Sequence, residues 1–190
     1  NIEYVWDTAT ANTWPDPKEK MPFGQLPVLY HNNLTIAQSG TIARYCAKLA
    51  NIWPTNLEHN VMADMLMEQS EDIFNLFSKA KYAGDEDQQK KAWLEVRLTK
   101  LPQKLNSLVK LLGDKLYFSG NKYHAGDIAI FSTMHLMVQA DLGDMLSQYP
   151  TLKAHYEKVL KLGSVKEFVD QGDKAYFKAP KVVLRNEFID

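Results

Sequence analysis

The sequence predicts an α+β fold in two parts, a short β-rich part followed by an all-helical one. Three observations carry this. Three short runs of strand character, Ile2–Trp6, Val28–Tyr30 and Leu34–Ile36, lie before Ser39. The segment Asn51–Asn56 then breaks the pattern, because Pro54 cannot continue a helix and two Asn flank it. Beyond that break the apolar residues recur at helical spacing, and Asp127–Ala140 is almost wholly apolar.

Taken in order, Ile2–Trp6 alternates apolar and polar residues, the mark of a half-buried strand. It enters abruptly, as if in the middle of a fold. Asp7–Thr13 is a polar loop, and Trp14–Pro17 is a turn with two prolines, followed by Lys18. Val28–Tyr30 and Leu34–Ile36 make a hairpin across His31-Asn32-Asn33, where Asn tolerates the positive φ that tight turns need. Pro27 sits just before the first strand, a position where proline is tolerated. If the Leu26–Pro27 bond is cis, the Leu26 amide and carbonyl face outward, free to pair with an extended peptide. Ser39 reads as a helix N-cap, with Ile42, Ala43, Tyr45, Cys46 and Leu49 as the apolar stripe. Gln38 and Ser39 thus bring an amide, a hydroxyl and orphan backbone N–H groups to a helix start, which attracts a carboxylate.

The helical part begins with Leu57–Tyr82, whose Val61, Met65, Ile73 and Phe77 fall at helical spacing. Gln88–Leu112 reads as one helix kinked at Pro102. Leu116–Tyr123 is an extended loop. Asp127–Ala140 reads as a central helix buried all round. Pro150–Leu162 and Ser164–Asp170 are further helices, with Ser164 as N-cap. Val182–Leu184 reads as the core of a last strand. The domains are therefore 1–52, 57–170 and a C-terminal extension, 171–190.

Apolar residues make up 45% of the 190, charged residues 24%, and the net charge is −1. That balance is globular and lacks the basic excess of a nucleic-acid binder. No apolar run approaches the ~20 residues of a membrane span. The single cysteine, Cys46, cannot form an intramolecular disulfide, which fits a reducing compartment. Its place on the apolar stripe suggests a buried, inert thiol. The histidines His31, His59, His124, His135 and His155 lack metal-ligand spacing, so no metal is expected.

Trp14–Lys18, Pro22–Pro27 and Gln38-Ser39 with Ile42–Tyr45 together form a long string of fitting spacing. It resembles the glutathione-binding half of the thioredoxin-like domain in cytosolic glutathione transferases. The likeness is to the sigma-like class, with its haematopoietic prostaglandin D synthase and S-crystallin relatives, and it continues more weakly to about residue 170. The resemblance implies an α+β two-domain glutathione transferase fold. An incomplete thioredoxin-like N-terminal part, without the usual first strand and helix, precedes an all-α C-terminal domain.

The resemblance also implies a function: glutathione bound as co-substrate and its thiol conjugated to a small hydrophobic electrophile, in a cytoplasmic homodimer. Trp14 and Lys18 would hold the glycine carboxylate, Gln25 and the Leu26 backbone before Pro27 the cysteinyl part, and Gln38 and Ser39 the γ-glutamyl carboxylate. Asp72 would reach a partner's glutathione amine, and Phe74, Phe77 and Tyr82 would line the electrophile pocket. Phe23 would anchor one subunit in the other. The family's thiol-activating Tyr lies on the first strand, so the catalytic donor is unknown. Lys181–Phe188 resembles that strand and is expected to fill its slot, with Asn186 standing in for the Tyr. The family starts its central helix with a Ser/Thr-x-x-Asp box. Asp127 fits the fourth position and His124 departs from the first, a loss of roughly 1 kcal/mol. The alternative function is a non-catalytic glutathione-binding, structural or interaction protein on the same fold.

Overall fold

The structure, a computed structural model, describes Val5 and residues 13–170. The expected strand Ile2–Trp6 (but for Val5), the expected strand Val182–Leu184 and Asn186 lie outside the described residues. The chain divides into two compact units between Asn60 and Val61.

The first unit holds a 3-10 turn, Lys18–Lys20, then strands β1 (Val28–His31) and β2 (Leu34–Ala37), then helix α1 (Ser39–Leu49). The strands pair antiparallel from Val28↔Ala37 to His31↔Leu34. Asn32 makes the turn at φ 52, the left-handed conformation that Asn accepts. The Leu26–Pro27 bond is cis, as the resemblance of Gly24–Val28 to the family's cis turn implies, and so is Trp14–Pro15. His31 Nδ1 lies 2.5 Å from Tyr45 Oη and fastens α1 to β1. Ala47 is the buried residue of α1. Cys46 is exposed, against the expectation of a buried thiol. It lies one residue, about 100°, around the helix from Ala47. The helix closes with Asn51 at φ 55, and the Ile52 and Asn51 amides reach back to Ala47 and Lys48 carbonyls at 3.0 and 3.1 Å. This Schellman closure satisfies orphan carbonyls just before Pro54.

Helix α2 (Leu57–Lys81) starts on Asn56, whose Oδ1 accepts the Glu58 and His59 amides at 2.9 and 3.2 Å. The second unit continues with α3 (Glu86–Glu95), α4 (Leu101–Leu112), α5 (Ala125–Gln139), a 3-10 turn Gly143–Gln148, α6 (Pro150–Leu160) and α7 (Gly163–Asp170). Helix α3 begins two residues before the expected Gln88. Asp85 forms a capping box there, taking the Gln88 amide at 2.9 Å while Gln88 Oε1 takes the Asp85 amide at 3.0 Å.

The expected single helix over Gln88–Leu112 is interrupted by a π turn, Val96–Lys100, in which the Leu101 amide bonds the Val96 carbonyl. Pro102 explains it. Proline has no N–H and its ring crowds the carbonyl four residues back, and the wider turn gives that ring room. Ser164 lies within α7 behind Gly163 and is not its N-cap.

The core of the second unit joins Leu66, Ile73 and Phe77 of α2 to Leu101, Leu105 and Met134. Val61 and Met65, expected on the apolar face of α2, are half exposed at 49% and 51%; Ala63 and Leu66 take the inward positions. Phe77 packs on Trp93, ring centroids 5.7 Å apart. Helix α5 is not buried all round, because Ser132 and Val138 are exposed. It comes close to α2 at Gly126, where an added Cβ would stand 2.7 Å from Leu66 Cδ1 and 3.0 Å from Ala63 Cα.

Helix α5 starts on Asp127, fully buried. Asp127 accepts the His124 amide on Oδ2 at 2.9 Å, and the Phe118 amide and His155 Nε2 on Oδ1, each at 2.9 Å. The start of α5 thus keeps its capping box despite the departure at His124, and Asp127 adds a tie to α6 through His155.

Candidate functional site

The register of the hairpin assembles the predicted residues. Val28 faces Ala37 at its open end, so Leu26–Pro27 and Gln38–Ser39 emerge side by side. Leu26 is 40% exposed, and Gln25, Pro27, Gln38 and Ser39 are also exposed, all open to a ligand. Helix α1 begins at Ser39, with Gln38 in the N-cap position and no side-chain cap. That corrects the expectation of Ser39 as N-cap. Gln38 stands at φ 73, ψ 118, so one residue turns the chain from β2 into α1. Such a backbone conformation costs a non-glycine residue roughly 1–3 kcal/mol and clusters at ligand clamps. The first turn of α1 presents the unpaired backbone N–H groups of any helix start, a favourable seat for a carboxylate.

The turn before β1 brings up the second set. The Asp16 amide bonds the Thr13 carbonyl at 3.0 Å and the Lys18 amide bonds the Pro15 carbonyl at 2.9 Å, which fixes Trp14 relative to Lys18. The stem of Lys18 lies over Gly24, whose φ is +62; its Cε is 3.3 Å from where a Cβ would be. Lys18 therefore lies beside the Gly24–Gln25 stretch that leads into Leu26. Trp14 is 38% exposed.

Asp72 belongs to the second unit, on α2, where its Oδ2 lies 2.6 Å from Lys104 Nζ of α4. Among the three expected pocket residues, Phe77 is only 5% exposed and sits in the core, so it cannot line an open pocket. Phe74 and Tyr82 are 37% and 70% exposed. Phe77 falls on the inward line with Ile73 and Ala80, whereas Phe74 and Tyr82 are turned away from it.

Three features escaped the sequence reading. The left-handed Gln38 has no compositional sign, since Gln is not a residue of positive φ. Arg44 lies across the first turn of α1, its Nη1 2.9 Å from the Cβ that Gly40 lacks; the glycine at that position was the available signal. Lys104 pairs with Asp72 across 32 residues, beyond any local pattern. Among the described residues no group of three or more His, Cys, Asp or Glu is placed to hold a metal ion, and no helix is long and apolar enough to cross a membrane.

A hairpin–helix unit followed by an all-helical unit defines a class of protein, and similarity to known proteins specifies it. Residues 3–48 match the family model for the glutathione S-transferase N-terminal domain, and residues 71–172 that for its C-terminal domain. Hematopoietic prostaglandin D synthase of Gallus gallus is 31% identical over 175 residues, 91% of this chain and 85% of that protein. The Mus musculus protein of that name is 32% identical over 171 residues, 89% of this chain and 83% of its own. The Pi-class glutathione S-transferase of Onchocerca volvulus superposes with a TM-score of 0.77 at 26% identity, covering 90% of this chain and 81% of that one. The chain belongs to the glutathione S-transferase family, with that family's thioredoxin-like N-terminal and helical C-terminal parts. Its co-substrate class is glutathione and its reaction class is glutathione conjugation.

Proposed function

We propose that this chain binds glutathione along the open end of its hairpin and conjugates the thiol to a small hydrophobic electrophile. Gln38 and Ser39 hold the γ-glutamyl carboxylate at the start of α1. The Leu26 backbone, set by Pro27, pairs with the cysteinyl part, and Gln25 flanks it. Trp14 and Lys18 hold the glycine carboxylate. Asp72 takes the γ-glutamyl amine of the partner subunit's glutathione, so the working form is a homodimer. Conjugation needs the sulfur as thiolate, since a free thiol with pKa about 8.5 is mostly protonated at neutral pH. With the thiol proton released to solvent, the thiolate attacks the electrophilic carbon to form a thioether, and the bond from that carbon to its leaving group breaks as the group, a chloride in a chlorodinitrobenzene-type electrophile, departs with the bonding pair. A cytosolic location suits the family and the lone cysteine.

The observation that carries this reading is the juxtaposition of Gln38–Ser39 with Leu26–Pro27, imposed by the Val28↔Ala37 register. Gln38→Ala and Ser39→Ala should each weaken glutathione binding by about 1–3 kcal/mol, because each removes a charge-assisted hydrogen bond. Titration calorimetry decides it, and unchanged affinity in both variants would refute the site. Retention on immobilised glutathione without turnover of a chlorodinitrobenzene-type electrophile would mark a binding protein instead of an enzyme.

A further inference from the structure

We propose that Lys104 is a second contact for the γ-glutamyl head, so that Asp72 and Lys104 together read its zwitterion: Asp72 takes the amine and Lys104 the α-carboxylate. This rests on the reading above, in which Asp72 faces the partner subunit's glutathione.

The ammonium of Lys104 lies 2.6 Å from Oδ2 of Asp72. The Asp72 side chain is 60% exposed and that of Lys104 31%, so both charges reach the surface together while the lysine stem is partly packed. The argument is one of charge balance. A γ-glutamyl head carries an ammonium and a carboxylate on the same carbon. A carboxylate facing it alone attracts the first and repels the second. Helix α2 is already acidic here, with Glu68 one turn before Asp72 and Glu71 next to it. Without a cation this face would favour any amine and penalise the attached carboxylate. Lys104 converts it into a dipole, which an oppositely aligned zwitterion can close into a ring of alternating charges. The carboxylate has lone pairs enough to accept from Lys104 as well as from the donors of the subunit that holds it.

Three tripeptides separate the roles in titration calorimetry on the full chain: glutathione, glutaryl-Cys-Gly, which lacks the amine, and 4-aminobutyryl-Cys-Gly, which lacks the α-carboxylate. Lys104→Met should weaken glutathione and the glutaryl peptide about three- to fivefold, in keeping with a partly exposed ion pair, and leave the aminobutyryl peptide unchanged. Asp72→Asn should weaken glutathione and the aminobutyryl peptide and leave the glutaryl one unchanged. If Asp72→Asn does not weaken the aminobutyryl peptide, the assignment of Asp72 fails. If it does, while Lys104→Met leaves all three affinities unchanged or weakens the aminobutyryl peptide as much as the glutaryl one, Lys104 is a surface partner or a prop for Asp72, and the inference is overturned.

Discussion

Asp127 gathers three hydrogen bonds at the start of α5. It is 0% exposed and accepts from the Phe118 amide, the His124 amide and His155 Nε2. Asp127→Ala would strip all three at once and leave buried donors unpaired. Such a loss costs about 3–5 kcal/mol, and urea unfolding should show it as a fall in midpoint with little change in slope. A loss under about 1 kcal/mol would mean that the capping role is dispensable. The Asp was legible in the sequence because it fills the fourth position of the family's Ser/Thr-x-x-Asp box. His155 was not, since it comes from 28 residues away and only the packing of α6 on α5 brings it there. The same division holds at the candidate site. Gln38 and Ser39 announced a helix start by residue type, yet the residue that caps it depends on a backbone angle that no residue type encodes.

Helix boundaries were legible where a side chain makes them. Asn51 and Asn56, which flank the break around Pro54, mark termini through a left-handed turn and a short polar side chain, whereas the cap on Asp85 was hidden in a polar break and starts α3 before the expected Gln88. Pro102 told of a disturbance but not its kind. A kink and a π turn both relieve a missing amide, and the choice between them follows from packing on either side. Close approach between elements is the least legible feature. Gly126 reads in sequence as an ordinary small residue, but it lets the backbones of α2 and α5 meet. Gly126→Ala would place a Cβ against Leu66 and the Ala63 backbone. Backbone yields less than a side-chain tip, so the gain in helix propensity should lose to a clash of about 1–3 kcal/mol. A lower thermal midpoint would show it; a higher one would mean that the contact relaxes freely.

At the scale of the whole molecule, the two-part division was written in composition, because strand-like runs stop before Pro54 and helical periods follow. Which apolar positions stay uncovered was written there only in part. Val61 and Met65 look alike in sequence to core residues yet are half exposed, whereas Phe23, in a loop beside Pro22, reads as an exposed aromatic and is 66% exposed. The proposed homodimer gives these surfaces a use, with Phe23 as an anchor. Sedimentation at micromolar concentration should give a dimer, and Phe23→Ala should shift it toward monomer; a monomeric parent protein would refute the assembly. The π turn at Val96–Lys100 bears on the same scale. It takes one extra residue into a turn, so it acts as a slack loop in the helix and leaves α3 and α4 in phase. Removing a single residue there should restore an unbroken helix while everything downstream keeps its facing. Leu101, Leu105 and Leu108 would stay on the core, and Lys104 would stay beside Asp72. Natural relatives one residue shorter in this stretch should therefore keep the leucine row in the same phase, counted back by one.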